Sequence, residues 1–204
     1  ICSLVFLLQI SSDNKEFYNY YFGFKPASFF FDFNLPTFFP VLTIITSIFM
    51  HAGWMHFLGN MLYLWIFADN IEDVMGQKQF ILFYLLSGFF ASLSQAIIDT
   101  QSNIPMIGAS GAIAGVLGAY LYLFPKAKVL ILVPFFIFFT IRVPAYILLI
   151  FWFFYQFVNL DNENSNIAWL AHIGGFIFGL IYSLIFLKKN NLTKKKGKSI
   201  FLKK

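Results

Sequence analysis

The chain of 204 residues is 59% hydrophobic and only 11% charged, and its net charge is +5. Soluble domains carry about twice that charged fraction, so this chain has too few polar side chains to cover a water-facing surface. Its apolar runs are long, recur along the whole chain and do not alternate, which excludes a transmembrane β-barrel and a singly anchored soluble domain. We therefore predict an all-α, polytopic membrane protein.

Most of the positive charge follows the last apolar run. Eight of the 14 basic residues lie after Phe186, namely Lys188, Lys189, Lys194, Lys195, Lys196, Lys198, Lys203 and Lys204. A lysine-rich tail directly after an apolar helix is typical of a cytoplasmic segment at the membrane surface. We expect the lipid bilayer, and not nucleic acid, as its partner, and we assign 1–187 to a transmembrane domain and 188–204 to a basic cytoplasmic tail.

The apolar runs predict six helices in chain order: Ile1–Ile10, Trp54–Ala68, Phe80–Ile98, Ser110–Phe124, the part of Val129–Val158 after a break near Arg142, and Ile167–Leu187. Ile1–Ile10 has only about half the length of a span, so we expect it to be the end of a truncated helix. Ser11–Thr37 is expected to be a loop, and Phe38–Met50 either a short span or a loop lying in the interface.

The positive-inside rule gives these helices an orientation. With six helices and the tail in the cytoplasm, the loop at Lys126 lies inside and 99–105 lies outside. The starts of the helices that carry His56, Ser110 and His172 then all lie near the outer side. Three segments that are far apart in the sequence are therefore expected to meet at one depth of the membrane.

Ser110 stands at the predicted start of a helix, between Gly108-Ala109 and Gly111. The glycines permit a tight turn and close approach of a substrate backbone. Free N–H groups and the helix dipole at this end favour the negative charge that develops on an oxyanion. The same small residues also pack helices in lipid, so the motif alone indicates either a nucleophile or a packing face.

His172 precedes a second face of small residues, Gly175 and Gly179. Two such faces allow two helices to approach closely, which would bring the imidazole within reach of the Ser110 hydroxyl proton. The alternative is a histidine bonded to a backbone carbonyl for packing. Because the acidic residues lie at span ends or in loops, we expect a Ser–His dyad and not a triad.

His56 and Asn60 are four residues apart and share one helix face. Together they offer two hydrogen-bond donors to an oxyanion, although a polar pair that joins helices is the alternative interpretation. The three histidines, His51, His56 and His172, have no acidic or cysteine partner inside the membrane. We therefore expect no metal and no cofactor.

Three segments together resemble the motifs of rhomboid intramembrane serine proteases: His51–Asn60, Gly108–Gly115 and Ala171–Gly175. The resemblance extends over about Leu42–Leu187. It implies a six-helix bundle that acts as a serine endopeptidase on single-span membrane proteins, cleaving their transmembrane helices through an acyl-enzyme.

By this resemblance Ser110 is the nucleophile and His172 the general base. His56, Asn60 and the backbone N–H of Ser110 would form the oxyanion hole, and Gly108 would shape the loop before the nucleophile. These roles are implied by the family and not by the spacing of the residues.

The resemblance also assigns supporting roles. Ser11–Met50 would be a first loop that is partly embedded in the outer leaflet, and His51 would be structural. Val143–Val158 would be the mobile wall through which a substrate reaches the site, with Trp152 and Phe153 as the gate.

Two features depart from the family pattern. Many members carry a Trp-Arg pair in the first loop, whereas this chain has no arginine before Arg142. Some members carry an aromatic residue four positions after the nucleophile that stacks on the base, whereas Ala114 occupies that position here. Neither change removes a reacting group, so we expect the chain to be active.

Two other functions are weighed against proteolysis. A catalytically inactive relative that binds membrane clients would typically lack the nucleophile, the base or the oxyanion donors, and all of these are present. A small transporter or channel would have ionisable groups along a pore and paired half-helices, whereas the polar groups here cluster at one depth. The simplest compartment is a bacterial plasma membrane, with the site toward its extracytoplasmic side.

Overall fold

The computed structural model describes residues 1–12, 14–32, 38–135, 137–162 and 167–187. The proposed tail at 188–204 thus lies outside the described residues. The elements of the described part are α1 (Cys2–Ser11), α2 (Lys15–Phe22), α3 (Pro26–Phe31), α4 (Phe38–Ser47), α5 (Trp54–Met75), α6 (Gln77–Ile98), α7 (Ser110–Leu123), β1 (Lys128–Phe135), β2 (Ile137–Pro144), α8 (Ala145–Val158) and α9 (Trp169–Phe186). The chain is mostly helical, as predicted.

The strand pair β1–β2 corrects the all-α prediction. The two strands are antiparallel, with Lys128 opposite Pro144 and Leu130 opposite Arg142. A short apolar run rich in β-branched residues favours a strand as readily as a helix, so its periodicity does not distinguish them. The predicted break near Arg142 falls at Pro144, which is the N-cap of α8.

The region expected to be an irregular loop, Ser11–Thr37, contains the short helices α2 and α3. The Asn14 side chain caps α2 by accepting from the backbone N–H of Phe17, and Pro26 begins α3, a position that suits proline because it lacks an N–H. The following helix α4 has ten residues, or about 15 Å at 1.5 Å per residue. It is too short to be a full span.

Two helices of the described residues are long and apolar enough to cross a bilayer, α6 and α9. The shorter helices α1, α7 and α8 are also apolar. The 22-residue helix α5 extends beyond the predicted end at Ala68, through an acidic segment, to Met75. It ends before Gly76, whose φ of 79° favours glycine. Length and composition thus support two spans, and six spans stay a prediction.

The centre of the bundle is the contact between α7 and α9. All residues from Gly111 to Tyr120 of α7 are buried. A Cβ atom added at Gly179 would collide with the carbonyl oxygen of Gly115, and one added at Gly118 would collide with the carbonyl oxygen of Phe176. The two backbones therefore touch directly, as expected for helices that pack through small residues in lipid.

We expect the substitution Gly179→Ala to lower the free energy of unfolding by about 1–3 kcal/mol, the usual cost of overpacking. The control is Gly59→Ala on α5, where an added Cβ meets nothing within 4 Å. The measurement is reversible unfolding in detergent or bicelles. Equal stability of the two variants would contradict a backbone contact between α7 and α9.

Candidate active site

Ser110 and His172 lie at the N-terminal ends of α7 and α9, and their side chains meet. The Ser110 Oγ is 2.8 Å from the His172 Nε2. The approach depends on the adjoining glycines, because a Cβ at Gly175 would collide with the carbonyl oxygen of Gly111. The structure thus brings together the two residues that the sequence predicted to be nucleophile and base.

A third side chain, Gln156 of α8, contacts the far side of the imidazole. Its Oε1 is 2.8 Å from the His172 Nδ1, and its Nε2 donates to the carbonyl oxygen of Trp152 at 2.6 Å. Gln156 is 1% exposed. No role for Gln156 was predicted from the sequence, because a carboxylate was the expected partner of a catalytic histidine, although an amide within an otherwise apolar helix was an available signal.

Aromatic rings from α8 and α9 surround His172. The ring centroid of Trp152 is 5.7 Å from that of His172 at an interplanar angle of 35°, and Trp169 stands edge-on at 6.1 Å. Ala114 is fully buried and adds no ring. The imidazole is therefore flanked by tryptophans from other positions and not by an aromatic residue four positions after Ser110.

The predicted gate residues Trp152 and Phe153 pack on α9. The Phe153 ring stacks on Phe176 with centroids 4.5 Å apart, and Trp152 stacks on the same ring at 6.1 Å. Both side chains are half-buried. They hold α8 against α9 beside the Ser110–His172 pair.

The His56 ring lies against the loop that precedes Ser110. Its Nδ1 accepts a hydrogen bond from the backbone N–H of Ala52 at 3.2 Å, so in a neutral ring the proton is on Nε2. A Cβ at Gly108 would lie 2.7 Å from that Nε2, and Gly108 has a φ of 128°. Only glycine fits this position without strain, and His56 presents a donor beside the loop.

Asn60 follows one helical turn after His56 on α5. Its side chain is 8% exposed, and its Nδ2 has no hydrogen-bond acceptor among the described residues. An unpaired buried donor costs about 1–3 kcal/mol. The amide is thus an unused donor at the same end of the bundle as His56.

His51 lies where α1, α5 and the first loop meet. It is fully buried, and its ring contacts Phe57 and His56 with centroids 5.3 and 5.2 Å apart. Its backbone N–H donates to the Gln9 Oε1 of α1 at 3.0 Å. Burial, and to a smaller extent His56, lowers the pKa of His51 to about 4, so its ring is neutral at neutral pH.

The fold and the site together define a helical membrane protein with a paired serine and histidine at one end of its bundle. A hydroxyl bonded to an imidazole provides a nucleophile and a base, the groups that nucleophilic catalysis requires. The Rhomboid domain model matches residues 39–189, and the chain belongs to the rhomboid family. The family predicted from the three motifs is thereby confirmed.

Individual relatives come from mitochondria and from a bacterium. The chain is 30% identical over 145 residues to Rhomboid protein 1, mitochondrial, of Saccharomyces cerevisiae, covering 69% of this chain and 40% of that protein. It is 29% identical over 164 residues to the mouse Presenilin-associated rhomboid-like protein, mitochondrial, covering 74% of this chain and 41% of that protein. It is 30% identical over 146 residues to the candidate rhomboid protease YdcA of Bacillus subtilis, covering 72% of this chain and 67% of that protein. The chain spans about two fifths of the length of the yeast and mouse relatives.

Proposed function

We propose that this protein is an intramembrane serine endopeptidase that cleaves transmembrane helices. The observation that carries the proposal is the distance of 2.8 Å between the Ser110 Oγ and the His172 Nε2. Such a contact lets the imidazole take the hydroxyl proton as the oxygen attacks a carbonyl carbon. Family membership supports the same chemistry.

The first half-reaction forms an ester on Ser110. The Oγ attacks the scissile carbonyl carbon while the His172 Nε2 takes the hydroxyl proton, and the carbonyl electron pair moves onto oxygen. The resulting oxyanion accepts hydrogen bonds from the His56 Nε2–H, the Asn60 Nδ2–H and the backbone N–H of Ser110. When the C–N bond breaks, His172 gives its proton to the leaving amine.

The second half-reaction releases the acyl group. A water molecule gives a proton to His172 and attacks the ester, and a second tetrahedral oxyanion forms in the same donor set. Its collapse breaks the bond to the Ser110 Oγ, which takes the proton back from His172. The products are the restored hydroxyl and a carboxylic acid, which loses its proton to water and becomes a carboxylate.

Transmembrane helices are the proposed substrate class because the site lies at one end of an apolar bundle. A helix in lipid hides every peptide bond in its own hydrogen bonds, so cleavage requires a segment that unwinds easily. The wall formed by α8 carries large exposed side chains. Phe151 is 71% exposed and Phe154 is 62% exposed. We propose that substrate enters past Trp152 and Phe153 on this wall.

A fluorophosphonate probe is expected to label the wild-type protein at Ser110 and to fail with Ser110→Ala or His172→Ala, because the probe requires an activated hydroxyl. The same two substitutions should abolish cleavage of a single-span substrate in liposomes while the fold is retained. The control is Ser94→Ala, since the Ser94 hydroxyl bonds to the Phe90 carbonyl of its own helix.

Cleavage by Ser110→Ala at the wild-type rate would make the proposed nucleophile wrong. A folded wild-type protein that neither reacts with the probe nor cleaves would instead favour an inactive relative that binds membrane clients.

We expect Asn60→Ala to lower kcat by about 10²- to 10³-fold, the usual effect of removing one oxyanion donor. KM should change little, because the donor acts mainly in the transition state. Asn103→Ala, the same change at an exposed position, is the control. An unchanged kcat in Asn60→Ala would remove this residue from the oxyanion hole.

We further propose six spans in a bacterial plasma membrane, with the Ser110 end facing away from the cytoplasm. In a Cys2→Ser background, Gln101→Cys should react with an impermeant maleimide on intact spheroplasts, because its loop lies outside. Lys126→Cys should react only after permeabilisation. Both positions are exposed, so the reverse pattern would invert the proposed topology.

A further inference from the structure

The buried amide of Gln156 is fixed at both ends. Three residues of the fourteen-residue helix α8 are buried: Gln156 and the apolar residues Ala145 and Leu149. The Gln156 Nε2 can only donate, and it faces the Trp152 carbonyl oxygen, which can only accept. This contact sets the orientation of the amide, so that its oxygen faces the His172 Nδ1.

An acceptor at Nδ1 decides where a neutral imidazole carries its single proton. With the Gln156 Oε1 at 2.8 Å, the proton belongs on the His172 Nδ1, and the lone pair of Nε2 faces the Ser110 hydroxyl. In the other tautomer an N–H would face the hydroxyl, and the Nδ1 lone pair would oppose the amide oxygen. That tautomer cannot take the Ser110 proton.

The amide belongs to a helix that packs on α9 through side chains. The α7–α9 contact is made by backbone atoms at glycines, whereas α8 meets α9 through the rings of Trp152, Phe153 and Phe176. The opposite face of α8 is open, and Val158 is 82% exposed. An outward movement of α8 would therefore leave Ser110 and His172 together but remove the amide from Nδ1.

We propose that Gln156 is a positioning residue that selects the His172 tautomer able to accept the Ser110 proton, and that it does so only while α8 is packed on α9. The proposal rests on the proposed protease function and adds a control of the base by the substrate-facing wall. Packing of α8 on α9 then selects the tautomer in which His172 can act as the base.

The first test is Gln156→Met, which keeps the length of the side chain and removes the acceptor. kcat is expected to fall about 2- to 12-fold, the range of one net neutral hydrogen bond, with little change in KM. Gln156→Glu should recover kcat, because its neutral carboxyl group can accept from His172 and also donate to the Trp152 carbonyl oxygen. Gln79→Met is the matched control, because it removes an interhelical bond to Tyr182 and should leave kcat unchanged.

The second test reads the tautomer directly by 15N NMR of protein labelled at its three histidines. In the wild type, the 15N chemical shift of the His172 Nδ1 should be that of a protonated ring nitrogen. The shift of Nε2 should be that of an unprotonated one. Both shifts should move toward a tautomer mixture in Gln156→Met. Phe153→Ala, which removes the ring stacked on Phe176, should move them in the same direction with Gln156 intact.

Unchanged His172 shifts and unchanged kcat in Gln156→Met would overturn the proposal. Unchanged shifts in Phe153→Ala would overturn its dependence on α8. If the wild-type protein cleaves nothing but its His172 shifts respond to Gln156→Met, the proposed protease function is wrong and the tautomer assignment is still correct.

Discussion

The contact between the backbones of α7 and α9 is the constraint on which the rest of the structure depends. Lipid offers no hydrophobic drive for two apolar helices to associate, so close packing and polar contacts hold them together. The Gly115–Gly179 and Gly111–Gly175 contacts leave no room for a Cβ, which fixes the register of the helices to within a fraction of a turn. That register places the Ser110 hydroxyl at 2.8 Å from His172.

His56, a proposed oxyanion donor, is oriented through the backbone of Ala52. The Ala52 N–H donates to the His56 ring, while the Ala52 carbonyl accepts from the Lys15 Nζ of α2. The first loop is tied further by Gln9 of α1, which bridges Asn19 and the backbone of His51. Lys15 and Gln9 thus anchor the first loop, which has no arginine, and Lys15 does so at Ala52, the residue whose N–H orients the His56 ring.

The parts of the fold that the sequence predicts are those with a local pattern. The small-residue faces around Ser110 and His172 indicated both the helices and their contact, because the pattern and the packing are the same physical feature. Gln156 could not be assigned a partner, since one amide in an apolar helix does not reveal what it faces. The strand pair was missed because a short apolar run does not determine its own period, and the Trp152 ring beside His172 depends on tertiary packing alone.

An amide at position 156 also suits the medium in which the proposed reaction occurs. In water-exposed serine proteases a buried carboxylate orients the histidine, but burial of a carboxylate costs several kcal/mol unless it is well paired. In the proposed tautomer the Gln156 oxygen accepts from the His172 Nδ1 without bringing a charge into the apolar bundle. In the proposed mechanism, full charges arise only transiently, as an imidazolium and an oxyanion. The proposed oxyanion donors, such as Asn60, are neutral and preorganised, and they would act on that charge where the dielectric constant is low and their effect is largest.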